Sequence, residues 1–472
     1  MSATQERLGA RAGFGLDEVL AATRGELVRV GARVRLAGVA TDTRTLEPGE
    51  LFVAIRGETH DGHAWLAEAS RRGAGAVVVE RGAAVPAELA PGCAVIAVRE
   101  TLAALGDLAA LHRRRHPATV LAVAGSNGKT TTKEMLAAIL REAFGAAAVL
   151  HTRGTQNNLV GLPLTLLRLD AERVAVVELG MNHPGELWRL AEIADPDVGV
   201  ITCVGPEHLE GVGSIRGAAE AEAELFRRLR PSATAVVNAD DPWVLSAAAA
   251  FPGRQIRFGD RAEVAALELA DLGLDGSAFR LRVGAAEVAV RLPIAGRHNV
   301  GNALAAAAMA HAIGVGVGPI RAALEAVEAP SMRMQIVRLR CGVTVLNDAY
   351  NANPASMAAA LQTLVASPAA RRIAALGEMR ELGAAAAEAH AELGRVAAGA
   401  GLERLYVLGP LAGLVREAAL AAGMPPERVV VAGGHAELAA ALRVECRAGD
   451  LLLLKGSRGA AMETVLRQLA AD

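Results

Sequence analysis

Short, nearly uninterrupted apolar runs recur along the chain, at 51–55, 74–79, 120–124, 174–179, 198–204 and 233–237, and again at 343–346, 373–376, 405–408, 429–431 and 451–454. Runs of this kind mark strands buried on both faces, because a strand with one wet face alternates apolar and polar positions instead. The stretches between them are rich in alanine and place apolar residues at helical spacing, as at Met135, Leu136, Ile139 and Leu140. Strands alternating with helices predict βαβ units and parallel sheets, so the fold class expected is α/β. The spacing at 218–226 predicts one helix. Segment 298–320 contains no Asp, Glu, Lys or Arg and predicts a buried helix followed by a turn; it is too weakly apolar to span a bilayer.

A chain of 472 residues exceeds what one core holds, and about three domains of roughly 150 residues each are expected. The divisions expected are a small N-terminal α/β domain at 1–115, a central domain with a P-loop-type, mostly parallel sheet at 116–327, and a Rossmann-like α/β domain at 328–472. The last shows no G-x-G-x-x-G after its first strand, which excludes a dinucleotide site of that kind. Apolar residues make up 52% and charged residues 21%, the balance of a folded, soluble chain. Net charge is −2, and the densest basic clusters, Arg113-Arg114-Arg115 and Arg227-Arg228-Leu229-Arg230, read as solvated helix ends, so no nucleic-acid partner is expected. Cys93, Cys203, Cys341 and Cys446 form no C-x-x-C, which predicts neither a zinc site nor a disulfide framework and fits a reducing cytoplasm. Residues 1–13 hold no apolar core of a signal peptide, and neither secretion nor membrane insertion is expected.

The densest chemistry lies at 119–134, TVLAVAGSNGKTTTKE. An apolar strand leads into the turn Gly125-Ser126-Asn127-Gly128, and a helix begins at Lys129-Thr130-Thr131-Thr132. Backbone N–H groups of such a turn and the positive end of the helix converge on an anion. Lys129 adds a charge for the outer phosphates of a bound nucleotide, and Thr130 a hydroxyl for a phosphate-bound Mg²⁺. Val123 replaces the first glycine of the usual G-x-x-x-x-G-K-[ST] pattern. Glu178 closes a buried strand, at the mouth of the sheet where ligands of α/β proteins bind, and is a candidate Mg²⁺ ligand. His208 falls just past the end of the next strand. Gln156, Asn157 and Asn158 offer amides that serve equally to bind a sugar or phosphate or to cap the following helix.

Gly-Ser-Asn-Gly-Lys-Thr-Thr-Thr resembles the nucleotide loop of the Mur ligases, which join amino acids or peptides to a muramyl precursor. The resemblance continues in Asp42-Thr43-Arg44 with Gly49-Glu50-Leu51-Phe52-Val53-Ala54, in Gly296-Arg297-His298-Asn299-Val300-Gly301-Asn302, and in Asp348-Ala349-Tyr350-Asn351-Ala352-Asn353-Pro354-Ala355-Ser356-Met357. The last run is similar to that of the member adding D-alanyl-D-alanine, as are Gly377-Glu378-Met379-Arg380 and Leu454-Lys455-Gly456-Ser457-Arg458. The resemblance implies an ATP-dependent ligase that joins D-alanyl-D-alanine to UDP-N-acetylmuramoyl-tripeptide through an acyl phosphate, acting as a monomer with ATP and two Mg²⁺.

It also implies roles. Thr43 and Arg44 would hold the uridine end, and Gln156, Asn157, Asn158, Tyr350, Asn351, Asn353, Lys455 and Ser457 the remaining substrate. Gly125 to Thr131, Asn299, Arg333 and Asp348 would hold ATP, with Asn299 on the base and Asp348 on the ribose. Lys129, Glu178, His208, Glu222 and Arg333 would form the catalytic set, and Thr130, Glu178, His208 and Glu222 the metal set. Glu222 marks a departure. The family carries there a lysine that CO₂ converts to a carbamate, whereas this chain has no lysine between Lys133 and Lys455. Glu222 either supplies that carboxylate directly or belongs to a solvated acidic helix face. The third-residue-adding ligase, a folylpolyglutamate synthase, a plain P-loop ATPase and a non-catalytic nucleotide-binding scaffold are the competing readings.

Overall fold

The computed structural model describes residues 12–57 and 59–471. Three larger sheets carry the fold. The first has five strands, in the order Glu26–Arg29, Ala94–Val98, Ala76–Glu80, Leu51–Val53 and Val39–Ala40, antiparallel only at the first pair. The second has nine, with Thr119–Ala124 between Val198–Ile201 and Val174–Glu178. The third has six and is parallel apart from its edge strand Gln335–Arg338. The apolar runs predicted in the last third of the chain all lie in this sheet, which confirms the α/β class. Thr344–Asp348, Arg372–Leu376 and Leu451–Lys455 are buried on both faces, as the rule for continuous apolar runs requires, whereas the edge strand Val429–Ala432 leaves Val431 exposed despite its apolar run.

Three antiparallel strands, Val264–Asp271, Ser277–Val283 and Ala286–Leu292, extend the second sheet at one end and lie outside the sequence expectations. Segment 218–226 is two helices, Ile215–Glu222 and Glu224–Arg228, interrupted at Ala223. Segment 298–320 is helix His298–Ala312, a turn, and the start of a second helix, Val317–Ala326. The glycines between them allow the turn, but the chain resumes helix once past it.

Arg113 corrects the reading of a solvated helix end. It is buried, and its guanidinium bonds the carbonyls of Ala194, Asp195 and His116 and the carboxylate of Asp197. Arg230 reaches Asp197 from the other side. These bonds tie helix Thr101–Arg115 to the second sheet. Gly106 lets the same helix approach closely, since a Cβ there would lie 2.7 Å from Cδ1 of Ile193. Leu105, Leu108, Leu187, Leu190 and Val177 accordingly share one apolar cluster with Val78 and Ile96 of the first sheet. Among the described residues no helix is long and apolar enough to cross a membrane.

Candidate active site

A cleft of about 780 Å³ opens at the carboxyl ends of the central strands. It is lined by Ser126 to Thr131 of the loop, by Asn157, Asn158 and Glu178, by Arg56 from the first sheet's side, and by Arg333, Asp348, Tyr350, Asn353 and Lys455 from the third. The loop leaves strand Thr119–Ala124 and enters helix Lys129–Phe144 through Gly128, at φ 84°. A Cβ at Gly128 would stand 2.1 Å from Asn302 Oδ1, so glycine is required by backbone and neighbour alike.

Lys129 donates to the carbonyls of Gly125 at 2.6 Å and Ser126 at 3.3 Å and to Glu207 Oε2 at 3.3 Å. Burial works against its charge, but the carboxylates of Glu207, Glu222 and Glu178 outweigh burial and raise its pKa. Glu178 is buried; its Oε1 accepts from Thr130 at 3.2 Å and from Asn157 at 2.9 Å, while its Oε2 has no partner. Glu222 is 3% exposed, so the solvated-face reading fails for it. Burial pushes its carboxyl up to about 7, against the pull of Lys129, and its Oε2 is likewise unpartnered. The backbone of Gly125 also acts on it, and it is not among the cleft-lining residues.

His208 lines the cleft, with Nδ1 2.6 Å from Glu381 of the third sheet's unit and Nε2 3.7 Å from Glu207. Its pKa is raised: burial opposes the charge, and Glu381 and Glu207 overcome it. Among the described residues no three His, Cys, Asp or Glu side chains converge into a metal cage. The oxygen set of Thr130 and Glu178, with a buried carboxylate oxygen left free, nonetheless fits Mg²⁺, which takes a few protein oxygens and completes its shell with phosphate and water.

The C-terminal side closes the cleft. The Arg333 guanidinium stacks 4.0 Å from the centre of the Tyr350 ring, and the Tyr350 hydroxyl donates to Thr155 Oγ1 at 2.6 Å. Asn353 donates to Asn127 Oδ1 at 2.9 Å and caps helix Pro354–Ala366 through Ser356. Lys455 is buried, 2.5 Å from Asp348 and 2.9 Å from the Asn351 carbonyl. Ser457 accepts from the Arg380 N–H, outside the lining.

Several predicted residues have other work. Asn158 caps helix Gly161–Leu166, accepting from the N–H groups of Val160 and Gly161. Gln156 does not line the cleft. Asn299 lines it, but its amide already donates to the Ala295 carbonyl and accepts from Asn302, leaving one N–H and one lone pair for a base. Thr43 is buried, and Arg44 is exposed and paired with Asp42; neither lines the cleft. Arg56 does, ion-paired with Asp61 and Glu80. The sequence reading gave no role to Arg56, Glu207 or Glu381. Glu207 was signalled by its place beside His208 past a strand end, whereas Glu381 comes from a distant loop that nothing local connects to the site.

The chain matches three family descriptions: "Mur ligase family, catalytic domain" over residues 35–113, "Mur ligase middle domain" over 123–310 and "Mur ligase, glutamate ligase domain" over 332–458. It is 37% identical over 443 residues to the UDP-N-acetylmuramoyl-tripeptide–D-alanyl-D-alanine ligase of Escherichia coli, covering 93% of this chain and 95% of that one. It is 34% identical to the ligase of the same name from Bacillus subtilis, covering 92% and 93%. Among solved structures it resembles MurF from Acinetobacter baumannii, at 31% identity and TM-score 0.88 over 98% of this chain and 100% of that one. It also resembles MurF ligase from Thermotoga maritima in complex with ADP, at 26% identity and TM-score 0.81 over 92% and 97%.

Proposed function

The chain belongs to the Mur ligase family, and on that premise we infer that it joins D-alanyl-D-alanine to UDP-N-acetylmuramoyl-tripeptide with ATP, giving the pentapeptide precursor of peptidoglycan. The observation that carries the reading is one cleft to which the phosphate loop, the Glu178 strand end and the Arg333–Tyr350 wall all contribute. A cleft of that composition suits a reaction that needs charge neutralised and partners aligned, with no enzyme nucleophile.

In this reading the terminal carboxylate of the tripeptide attacks the γ-phosphorus of ATP and ADP leaves. The amine of D-alanyl-D-alanine then attacks the acyl carbon, and phosphate leaves with the loss of an amine proton. Lys129 exchanges the Gly125 and Ser126 carbonyls for phosphate oxygens and carries their charge. Arg333 approaches the phosphates from the opposite wall, and Asp348 orients the ribose. Asn157 and Thr130 hold the Glu178 carboxylate so that its free oxygen stays directed. Thr130 and Glu178 would hold one Mg²⁺ and His208 the other, which supply electrostatic stabilisation of the transferring phosphoryl group. The Asn127–Asn353 and Thr155–Tyr350 bonds keep the two walls together.

Glu222 takes the place for which the resemblance implies a carbamate. Its unpartnered oxygen and the nearby Lys129 support this role. Turnover independent of bicarbonate in CO₂-depleted buffer, and lost in Glu222→Gln, is the expected outcome; a strong bicarbonate requirement rules the role out.

The test of the reaction itself is phosphate release from ATP and Mg²⁺. Release that needs both UDP-tripeptide and D-alanyl-D-alanine, with pentapeptide formed, is expected. Release without either would make the protein a plain ATPase. ATP binding without release would make it a scaffold.

A further inference from the structure

Lys133 stands one helical turn beyond Lys129, fully buried and absent from the cleft lining. An ammonium ion in such a place is costly unless every proton is bonded. All three are: to Glu134 Oε1 at 2.6 Å, to the Thr152 carbonyl at 2.9 Å and to the Gly154 carbonyl at 3.0 Å. A methionine would fill a similar volume without the desolvation, so core packing alone gives no reason for a cation here.

The two carbonyls belong to one loop, 152–157, and that loop touches the chemistry at three points. Thr152 Oγ1 accepts the Glu178 N–H at 3.0 Å, at the end of the strand. Asn157 Nδ2 donates to Glu178 Oε1 at 2.9 Å, which fixes the direction of the free Oε2. Between them, Thr155 Oγ1 accepts the Tyr350 hydroxyl at 2.6 Å and so ties in the opposite wall. The loop holds Glu178 and the wall, and Lys133 holds the loop.

We propose that Lys133 is a positioning residue for the ligase reaction: through loop 152–157 it directs the Glu178 carboxylate and places the Thr155 hydroxyl that Tyr350 meets. This rests on the reaction assigned above, and turnover by the unmodified enzyme is the control that separates failure of that reading from failure of this one.

The test is Lys133→Met. With both substrates saturating, kcat is expected to fall about 10- to 100-fold, the usual effect of losing a group that orients a metal-binding carboxylate, with the UDP-tripeptide KM changed by less than about twofold. A second readout is free of turnover. The Mg²⁺ concentration needed for tight ADP binding, measured by calorimetry, is expected to rise about tenfold. The third is a cycle with Tyr350→Phe, which is expected to cost activity in the native background and almost nothing beside Lys133→Met. A lowered melting temperature with kcat and Mg²⁺ dependence unchanged, or additive losses in the cycle, would show that Lys133 only supports the fold. If Lys133→Met does not fold, Thr152→Val breaks the same path at its next bond. The same rise in Mg²⁺ requirement is then expected, and an unchanged requirement overturns the proposal.

Discussion

His208 and Glu381 meet across the cleft at 2.6 Å, and each holds a left-handed backbone, φ 53° and 63°, that side-chain-bearing residues rarely adopt. The contact is reinforced by the Glu210 N–H, which donates to the Glu381 carbonyl at 3.1 Å. Strain persists at such positions only where the surroundings over-determine it. The 377–383 loop is so determined: the Met379 N–H bonds the buried His390, and the Arg380 N–H bonds Ser457. The pair is a clasp between the walls. Glu381→Ala is expected to loosen closure by about 1 kcal/mol at most, because Glu381 is half exposed and its charge is screened. Small-angle scattering with bound ADP should then show a more open ensemble; an unchanged profile removes the clasp.

Gly128 gives a sharper outcome. In Gly128→Ala the methyl group meets Asn302 Oδ1 at 2.1 Å on a backbone with φ 84°. Strain at such a site costs about 1–3 kcal/mol, so ATP affinity is expected to drop roughly 5- to 150-fold, as read by calorimetry. Unaltered affinity would mean that the loop does not cradle phosphate.

Lys129→Met removes the cation facing Glu207, Glu222 and Glu178. Glu222 then loses the pull that opposes its burial, and its carboxyl is expected to hold its proton to a higher pH. Phosphate release is expected to fall about 1,000-fold, on the scale seen when a donor aimed at developing charge is lost. A loss below tenfold would show that Lys129 does not meet the phosphates.

Metal removal separates binding from turnover. Chelation of Mg²⁺ by EDTA is expected to abolish phosphate release, and added Mg²⁺ to restore it, with the fold unchanged by circular dichroism. Release that survives chelation would exclude Thr130 and Glu178 as metal ligands.

Acid stability has a distinct source. Asp450 has a side chain 1% exposed and is held bidentately by Arg371 at 2.6 Å and 3.0 Å. Burial raises its pKa, but the Arg371 bonds and the Arg447 N–H together more than offset this and leave it below the ordinary 3.8. A depressed carboxylate contributes stability above its unfolded pKa and loses that contribution as pH falls through the folded one. Arg371→Ala leaves a buried charge unpaired and is expected to cost about 3 kcal/mol at pH 7. The gap to the native protein should narrow as pH falls, first because burial without Arg371 raises the Asp450 pKa in the variant and relieves the unpaired charge above 3.8, then because the native protein loses its own contribution below 3.8. Urea titrations at several pH values decide this, and a pH-independent gap would place the effect in packing.

How much of this was legible in the sequence depends on the reach of each interaction. The inner strands of the third sheet show as continuous apolar runs because both faces are buried. The phosphate loop shows because glycine, lysine and threonine act there within a few residues. The strand Ser277–Val283 also carried a signal, its burial alternating in register with its apolar positions, and period two would have found it. Lys133 carried none. Nothing in Thr-Thr-Thr-Lys-Glu separates a buried lysine from a solvated one, because the Thr152 and Gly154 carbonyls that complete its bonding come from a separate loop. Arg113 was misread for the same reason, since Asp197 reaches it from the bend before strand Val198–Ile201. Asn158 and Asn353 precede helices, where capping and ligand binding call for the same side chain, and sequence alone could not choose.

The apolar cluster that runs from Val78 and Ile96 through Leu105 and Leu108 to Leu187 gives the first two sheets a common interior. The third sheet has its own clusters, entered from the rest of the chain at Ala295, Leu209 and Leu274, and it otherwise meets its neighbour through polar bonds. Cooperativity follows shared apolar burial more than hydrogen bonds at a wet seam. The protein should therefore melt as two blocks where the sheet count suggests three. Calorimetry should resolve one large transition for the joined sheets and a smaller one for the C-terminal unit, and ADP, which the proposed function places across the seam, should draw the two together.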